Sequence, residues 1–154
     1  MSSSRYVVDT SVIVERILSS SPFKERVEVL FDDARRGGVS LYVTLLTLSE
    51  VLYIASKIYA LAGVEDPNRE AVLLTLWLTS RARIVQPTED TALRAGELKK
   101  TLGLALVDCY AIAAAEQLRC KALFLKPEKE MWRKKELIKQ LPIEFLAKNK
   151  EAEG

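Results

Sequence analysis

The chain has 154 residues, of which 49% are hydrophobic and 29% charged, as in a single globular domain with a full core rather than a disordered protein. It contains no histidine, which excludes Ser-His-Asp and Cys-His catalysis and removes the commonest ligand of zinc, copper and non-haem iron. The net charge of +2 is too small to indicate nucleic-acid binding by itself. Any bound metal is expected to be a hard cation held by carboxylates, Mg²⁺ or Mn²⁺ in character.

The first predicted strand is the short apolar run Tyr6-Val7-Val8, which ends at Asp9 and is followed at once by helical spacing. A brief buried strand followed by a helix is the beginning of a βαβ unit. In open parallel sheets, functional side chains collect at the carboxyl ends of strands, where the chain order reverses. Asp9 therefore occupies the position of a metal ligand or nucleophile. Its alternative role is that of a helix N-cap, which Thr10 or Ser11 could fill equally well.

The remaining predicted elements alternate between helices and strands. In chain order they are a helix at 22–38, a strand at 39–43, helices at 44–63 and 66–82, a strand at 83–86, helices at 88–103 and 106–119, a strand at 121–125, a basic helix with Pro127 in its first turn, and an edge strand at 142–146. This alternation predicts an α/β fold with a mostly parallel central sheet of four to five strands. Residues 1–146 are expected to form a single domain, and residues 147–154 a polar C-terminal tail.

Two further acids lie inside predicted helices that are otherwise apolar. Glu50 is the only acid between residues 44 and 62, and its burial would cost several kcal/mol unless it were paired or bound to a metal. Lys57 is two turns away, beyond ordinary pairing distance along a helix. Asp108 lies near the start of the 106–119 helix, where interaction with the helix dipole contributes typically less than about 1 kcal/mol. Both residues are therefore functional candidates.

Glu128 and Glu130 follow the last convincing strand and share with Asp9 a position just past the carboxyl end of that strand. Acids in a first helical turn after proline are also ordinary helix chemistry. Four acids that converge from separated segments would repel one another unless a cation neutralised them. This pattern predicts one or two Mg²⁺ or Mn²⁺ ions. Such a site serves phosphodiester hydrolysis and requires no protein base.

The order of these motifs resembles the PIN-domain ribonucleases, and among them the VapC-type toxins of prokaryotic toxin–antitoxin pairs. The resemblance is carried by Val7-Val8-Asp9-Thr10-Ser11, Thr47-Leu48-Ser49-Glu50, and Leu106-Val107-Asp108 with Ala111-Ile112-Ala113-Ala114-Ala115. It implies a PIN-like three-layer α/β/α sandwich and a metal-dependent endoribonuclease acting on RNA, with Asp9, Glu50 and Asp108 as metal ligands. It also implies a homodimer and a small antitoxin protein laid across the active groove, for which the apolar segments 44–62 and 68–82 could offer a docking surface.

The fourth acidic position departs from the family pattern. PIN domains usually carry Thr-x-Asp after the last core strand, where this chain has Lys126-Pro127-Glu128. Either Glu128 or Glu130 is expected to complete the catalytic and metal-binding set, and Lys126 either weakens a second metal or contacts the RNA phosphate. The alternative function is a catalytically weak or inactive PIN-like module that binds RNA or protein.

Basic residues cluster in two predicted helices. They are Arg133, Lys134, Lys135 and Lys139 in one helix, and Arg94, Lys99 and Lys100 in the other. Basic helices near a groove attract an RNA backbone through counterion release, although a solvated charged surface explains the pattern equally well.

A phosphoacceptor receiver domain is a competing interpretation, because Leu125-Lys126-Pro127 resembles the late Lys-Pro of that fold. That fold also requires paired acids after the first strand and an acceptor aspartate after a middle strand. Here Asp9 stands alone, and the middle strand is followed by Thr44. The receiver function is therefore disfavoured.

Cellular location is predicted from three features of the chain. The first residues do not form a signal peptide, and Glu50 and Lys57 interrupt the one long apolar stretch, which argues against a membrane span. Cys109 and Cys120 are interpreted as small buried hydrophobes in a reducing compartment. A cytoplasmic protein is expected.

Overall fold

The computed structural model describes residues 4–147, and a sheet of parallel strands lies at its centre. The strands are β1 (Ser4–Val8), β2 (Val39–Thr44), β3 (Arg83–Val85), β4 (Lys121–Phe124) and β5 (Ile143–Phe145). Their spatial order is β3-β2-β1-β4-β5, and all four pairings are parallel. The predicted mostly parallel sheet of four to five strands is confirmed. Of the predicted polar tail, all but Ala147 lies outside the described residues.

Helices connect these strands and cover both faces of the sheet. They are α1 (Thr10–Ile13), α2 (Lys24–Arg35), α3 (Leu45–Leu61), α4 (Pro67–Arg81), α5 (Glu89–Leu102), α6 (Leu106–Leu118), α7 (Lys129–Arg133) and α8 (Lys135–Ile138). A single 3₁₀ turn, Val14–Ile17, directly continues α1.

Strand β4 shows how the two faces are separated. Leu123 packs into a core that contains residues of α2, α3 and α4, whereas Ala122 and Phe124 pack into a second core with residues of α5 and α6. Successive side chains of a strand point to opposite faces, so an apolar strand supplies both cores. The three-layer α/β/α sandwich is therefore confirmed.

The strand order places a topological switch point between β1 and β4. The chain leaves β1 for β2 on one side and later returns to place β4 on the other side. The backbone N–H of Asp9 donates to the carbonyl of Leu123 at 2.9 Å, so the carboxyl ends of β1 and β4 lie side by side. In α/β sheets, this crevice is where ligands bind.

Helix α6 packs against the sheet through small side chains. Ala111, Ala113, Ala114 and Ala115 are all fully buried. Alanines allow close approach of a helix to a sheet without voids. This packing fixes the first turn of α6, and with it Asp108, relative to the strands.

The basic segment after β4 differs from the single helix predicted for it. Pro127 lies outside the helix, because α7 begins at Lys129 with Glu128 as its N-cap, and a separate helix α8 follows. Met131 and Ile138 are the buried hydrophobic residues of the two helices. With so few apolar anchors, the segment has no continuous face to stabilise one longer helix.

The two cysteines differ in burial. Cys109 is buried as predicted, but Cys120 is only partly buried, because it lies just after the end of α6, next to the exposed Arg119.

Helices α3 and α4 pack against each other as the predicted hairpin. In the part of the chain from residue 4 to residue 147, no helix combines the length and apolarity needed to cross a membrane.

Candidate metal centre

The predicted acids arrive at the carboxyl edge of the sheet from four different elements. Asp9 directly follows β1, and Glu128 follows β4 by a short turn. Glu50 lies in the second turn of α3, and Asp108 lies in the first turn of α6. Strand β2 ends at Thr44, whose hydroxyl caps α3 by accepting from a backbone N–H. Helix α3, which carries Glu50, therefore also begins at this edge.

Asp9 is buried, with 2% of its surface exposed, and its two carboxylate oxygens have different environments. The Oδ2 atom accepts a hydrogen bond from the backbone N–H of Ser11 at 2.9 Å and caps α1. The Oδ1 atom is buried and receives no donated hydrogen bond from the residues described. The alternative role of Asp9 as a helix N-cap is therefore confirmed, and neither Thr10 nor Ser11 takes that position. Asp9 serves as the cap and still retains one unpaired oxygen.

The carboxyl groups of Asp9 and Asp108 lie in contact with each other. Asp108 is 5% exposed, and burial followed by the charges of Asp9, Glu128 and Glu50 raises its pKa to about 9. Burial also raises the pKa of Asp9, against the opposing effect of its hydrogen bonds from Ser11. Without a cation, two buried carboxyl groups in contact are stable only when they share a proton.

Glu128 is the member of the Glu128–Glu130 pair that joins this cluster. Burial together with the charges of Asp9, Glu130 and Glu50 raises its pKa, and its interaction with the Asp108 side chain opposes that rise. Glu130 is among the charges that act on Glu128, but not among those that act on Asp9 or Asp108. The structure thus groups Asp9, Asp108 and Glu128 directly.

Glu50 faces the same cluster from α3. Its charge contributes to the raised pKa values of Asp108 and Glu128. The predicted alternative partner, Lys57, instead donates to the hydroxyl of Tyr53 at 2.7 Å and lies over the ring of that tyrosine. Glu50 is partly buried rather than fully buried.

These residues fit a divalent cation by charge and by donor chemistry. All the candidate donors are carboxylate oxygens, and the unpaired Oδ1 of Asp9 is a buried acceptor with no donated hydrogen bond. Across residues 4–147, however, no three acidic or cysteine side chains already surround one point at ligand distance. A third carboxylate must therefore rotate inward to complete a coordination sphere. The long side chains of Glu50 and Glu128 have the rotational freedom to do so.

Ser11 was considered in the sequence only as a possible helix cap, yet it joins the two strand ends that form the crevice. Its backbone N–H donates to Oδ2 of Asp9 at 2.9 Å. Its Oγ atom also accepts from the backbone N–H of Leu125 at 3.0 Å. Ser11 therefore holds the carboxylate at the end of β1 against the segment that follows β4.

Removal of this bridge in Ser11→Ala is expected to destabilise the protein by about 1–2 kcal/mol, because the N–H of Leu125 loses its acceptor. Denaturant unfolding measures this effect. Ser49→Ala is the matched control, because the exposed Ser49 hydroxyl donates only to the carbonyl of Leu45 within α3. Equal effects of the two substitutions would contradict the bridging role.

Glu15 is a second residue that sequence reasoning missed. It lies in the 3₁₀ turn after α1 and is only 8% exposed. Burial raises its pKa, and the positive charge of Lys126 and a hydrogen bond with Ser21 oppose that rise. The available signal was an acid within the apolar run from Val12 to Leu18.

The basic residues predicted on α5 are largely occupied within the protein. Arg94 donates two hydrogen bonds to the carboxylate of Glu116, at 2.8 and 3.1 Å. Lys99 donates to the carbonyl of Leu104 at 2.9 Å. These two side chains are therefore already paired within the protein. The other cluster, on α7 and α8, is exposed.

The sequence matches the PIN domain over residues 6–126, which include Asp9, Glu50 and Asp108. A comparison with curated proteins returned no match.

Solved structures with a similar fold include toxin–antitoxin assemblies. DNA-bound VapBC from Salmonella typhimurium is 16% identical, with a TM-score of 0.63 and coverage of 94% of this chain and 99% of that chain. VapBC-1 from nontypeable Haemophilus influenzae is 18% identical, with a TM-score of 0.59 and coverage of 92% and 97%. VapC20 from Mycobacterium tuberculosis, a sarcin-ricin loop cleaving toxin, is 16% identical, with a TM-score of 0.60 and coverage of 77% and 87%. The structural similarity to these proteins shows the fold alone, whereas the sequence match over residues 6–126 establishes that the chain belongs to the PIN-domain family.

Proposed function

We propose that this protein is a metal-dependent endoribonuclease that hydrolyses RNA phosphodiester bonds, and that it is the toxin component of a toxin–antitoxin system. The observation that carries the proposal is the buried Asp9–Asp108 pair at the switch point of a PIN-domain sheet, with Glu128 and Glu50 beside it. A buried cluster of carboxylates has a high cost in folding free energy, and a divalent cation offsets that cost. Its retention at the ligand-binding edge of the sheet indicates a functional site.

In this proposal, Asp9 and Asp108 hold Mg²⁺ or Mn²⁺ from the bottom of the crevice, and Glu50 and Glu128 complete the ligand set from its rim. A bound divalent ion activates water for attack on phosphorus and stabilises the charge on the leaving oxygen. The residues of the chain orient the reaction and exclude bulk water. Ser11 fixes the rotamer of Asp9, and the fully buried Ala111 and Ile112 of α6 keep the helix that carries Asp108 against the sheet.

Metal removal is the direct test of this proposal. Excess EDTA is expected to reduce cleavage of a labelled single-stranded RNA to background, and added Mg²⁺ or Mn²⁺ is expected to restore it, because the carboxylates position the substrate only around a cation. Thermal unfolding in the same buffers is expected to show a higher Tm with Mn²⁺ than with EDTA, since an ion that binds only the folded state stabilises it. Undiminished cleavage in EDTA would exclude the mechanism.

An inactive RNA- or protein-binding PIN module is the second candidate. Two observations favour it: no described set of three side chains already encloses an ion, and Lys126-Pro127-Glu128 replaces the family's usual Thr-x-Asp. Tight RNA binding with no cleavage under any divalent ion would support this module over the enzyme.

The proposal includes a small antitoxin protein as partner and a homodimer as the state of the free toxin. The supporting observation is the apolar surface on the α3–α4 hairpin, where four large side chains are exposed by about half or more: Tyr53 at 59%, Leu61 at 90%, Leu73 at 48% and Leu76 at 61%. Patches of this kind mark protein–protein interfaces. Light scattering that gave the mass of one chain would contradict the homodimer.

A further inference from the structure

A second concave region lies at the amino edge of the sheet, on the opposite side from the carboxylate cluster. It is a surface cavity of about 330 Å³ beside the first residues of β1 and β4, where Tyr6 and Lys121 are paired neighbours. Its lining includes three cationic side chains, Arg5, Arg119 and Lys121, and one acid, Glu144. Positive charge therefore exceeds negative charge here, which is the reverse of the crevice at the carboxyl edge.

Arg119 occupies a backbone position of the kind at which this chain otherwise places glycine. It ends α6 with a φ of 54°, and within residues 4–147 it is the only residue other than glycine that has a positive φ. The other positions with a positive φ are Gly37, Gly63 and Gly103. The left-handed conformation has a cost for a residue with a Cβ atom, and glycine avoids that cost. An arginine at this position indicates a role for its side chain.

The end of α6 beside the cavity is compatible with an anion. The last carbonyls of a helix carry partial negative charge and would repel an anion. Here the guanidinium of Arg5 donates through Nη2 to the carbonyl of Leu118 at 2.8 Å and to that of Arg119 at 3.5 Å. The side chains of Arg119 and Lys121 are exposed, and they form no hydrogen bond or salt bridge with another residue between 4 and 147. Their charged ends are therefore available to a ligand.

We propose that this cavity is a binding site for a phosphate group, in which Arg119 and Lys121 hold the anion and Arg5 neutralises the carbonyls of the adjoining helix end. Guanidinium and ammonium groups form charge-assisted hydrogen bonds with phosphate oxygens, and a guanidinium does so with two parallel donors. A cavity of this size falls within the range of small-molecule sites, about 300–1,000 Å³, so the phosphate can carry a nucleoside. Its source is a free nucleotide or the end of an RNA strand. The site does not depend on the proposed hydrolysis.

The test is thermal unfolding of the whole chain in EDTA, so that the carboxylate cluster holds no cation that could itself bind phosphate. Inorganic phosphate at about 20 mM, compared with sodium chloride of equal ionic strength, is expected to raise the Tm by about 2–4 °C, because a ligand that binds only the folded state stabilises it. Lys121→Gln is expected to lose at least about half of this rise. Lys100→Gln is the matched control, because it removes an exposed lysine of α5, and it should keep the full rise.

Arg119→Gly separates the conformational cost of the arginine from its use. Without phosphate, this variant is expected to have a Tm about 2–4 °C higher than that of the unmodified protein, because glycine adopts the left-handed conformation without strain. With phosphate, it should lose most of the further rise, because the guanidinium is absent. A variant that is more stable than the unmodified protein cannot owe its lost response to a damaged fold.

Titration calorimetry in the same buffer distinguishes the two sources of the phosphate. AMP is compared with adenosine, and a tetraribonucleotide with a 5′-phosphate is compared with the same strand ending in a 5′-hydroxyl. The tighter of the two phosphorylated ligands identifies the source, and Lys121→Gln is expected to weaken its binding by about fivefold or more.

Three results would overturn the proposal. The first is no rise in the Tm of the unmodified protein with phosphate. The second is an equal rise in the unmodified protein, Lys121→Gln and Lys100→Gln, since phosphate would then act as a general stabilising salt. The third is that neither phosphorylated ligand binds more tightly than its form without phosphate.

Discussion

Replacement of Asp9 with asparagine is expected to lower the rate of RNA cleavage by at least about 10³-fold, because the proposed ion loses its most buried charged ligand. Asparagine keeps the shape of the side chain, and its carbonyl oxygen can still accept from the N–H of Ser11 and cap α1. The fold should therefore survive. Initial rates on a labelled RNA in Mg²⁺ and in Mn²⁺ measure the loss, and circular dichroism verifies the fold.

Asp90→Asn is the matched control for this substitution. Asp90 is an exposed acid in the first turn of α5, so its replacement changes the net charge by the same amount away from the crevice. Cleavage by this variant is expected to stay within about twofold of the unmodified protein. Equal activity of Asp9→Asn and Asp90→Asn would remove Asp9 from the mechanism.

Asp108→Asn is expected to produce an inactive protein that is more stable than the unmodified one when no metal is present. Asparagine is neutral at every pH, and its side-chain N–H can donate to the Asp9 carboxylate that Asp108 contacts. In EDTA at pH 8, we expect the Tm to rise by about 3 °C or more, which corresponds to roughly 1 kcal/mol for a protein of this size.

The pH dependence of stability follows from the direction of the pKa shift. Burial and neighbouring acids raise the pKa of Asp108 to about 9, against an ordinary value near 4 in the unfolded chain. Between these values, the folded protein binds a proton that the unfolded protein has released. The contribution of Asp108 to the free energy of unfolding is therefore fully present below about pH 4, and it is lost as the pH rises through about 9.

Thermal unfolding in EDTA between pH 5 and 9, as approximate limits of the window, tests this prediction. The unmodified protein should lose stability as the pH rises, and Asp108→Asn should lose less. Some dependence remains in the variant, because the pKa values of Asp9 and Glu128 are also raised. A variant less stable than the unmodified protein at every pH would contradict the buried, proton-sharing pair.

Local patterns in the sequence predicted most of the secondary structure. Thr44 and Thr88 were predicted to begin helices, and both are N-caps whose hydroxyls accept from a backbone N–H of the first turn. Gly103 was predicted to end a helix, and it adopts the left-handed conformation that glycine favours, with a φ of 72°. Such signals act within a few residues and do not depend on distant packing.

Where the sequence misled, contacts between distant segments made the difference. Pro127 precedes a helix instead of opening it, and the predicted basic helix is divided in two, since only Met131 and Ile138 anchor it to the core. For Arg94 and Lys99, the sequence left open an RNA contact or a solvated surface, and the structure pairs them with Glu116 and with the Leu104 carbonyl. Their partners lie on other elements or beyond a helix end, where a periodic pattern carries no information.

The candidate site, too, was predicted in part from local sequence and in part depends on contacts between distant segments. The sequence by itself determined that Asp9, Glu50 and Asp108 would be acids in apolar surroundings, because an isolated carboxylate in an apolar segment is visible without coordinates. Only the tertiary structure decided that Asp9 contacts Asp108, that Glu128 joins them ahead of Glu130, and that Glu15 is buried. The physical reason is that the parallel order of β1 and β4 brings residues more than a hundred positions apart to one edge, and side-chain direction there is set by packing.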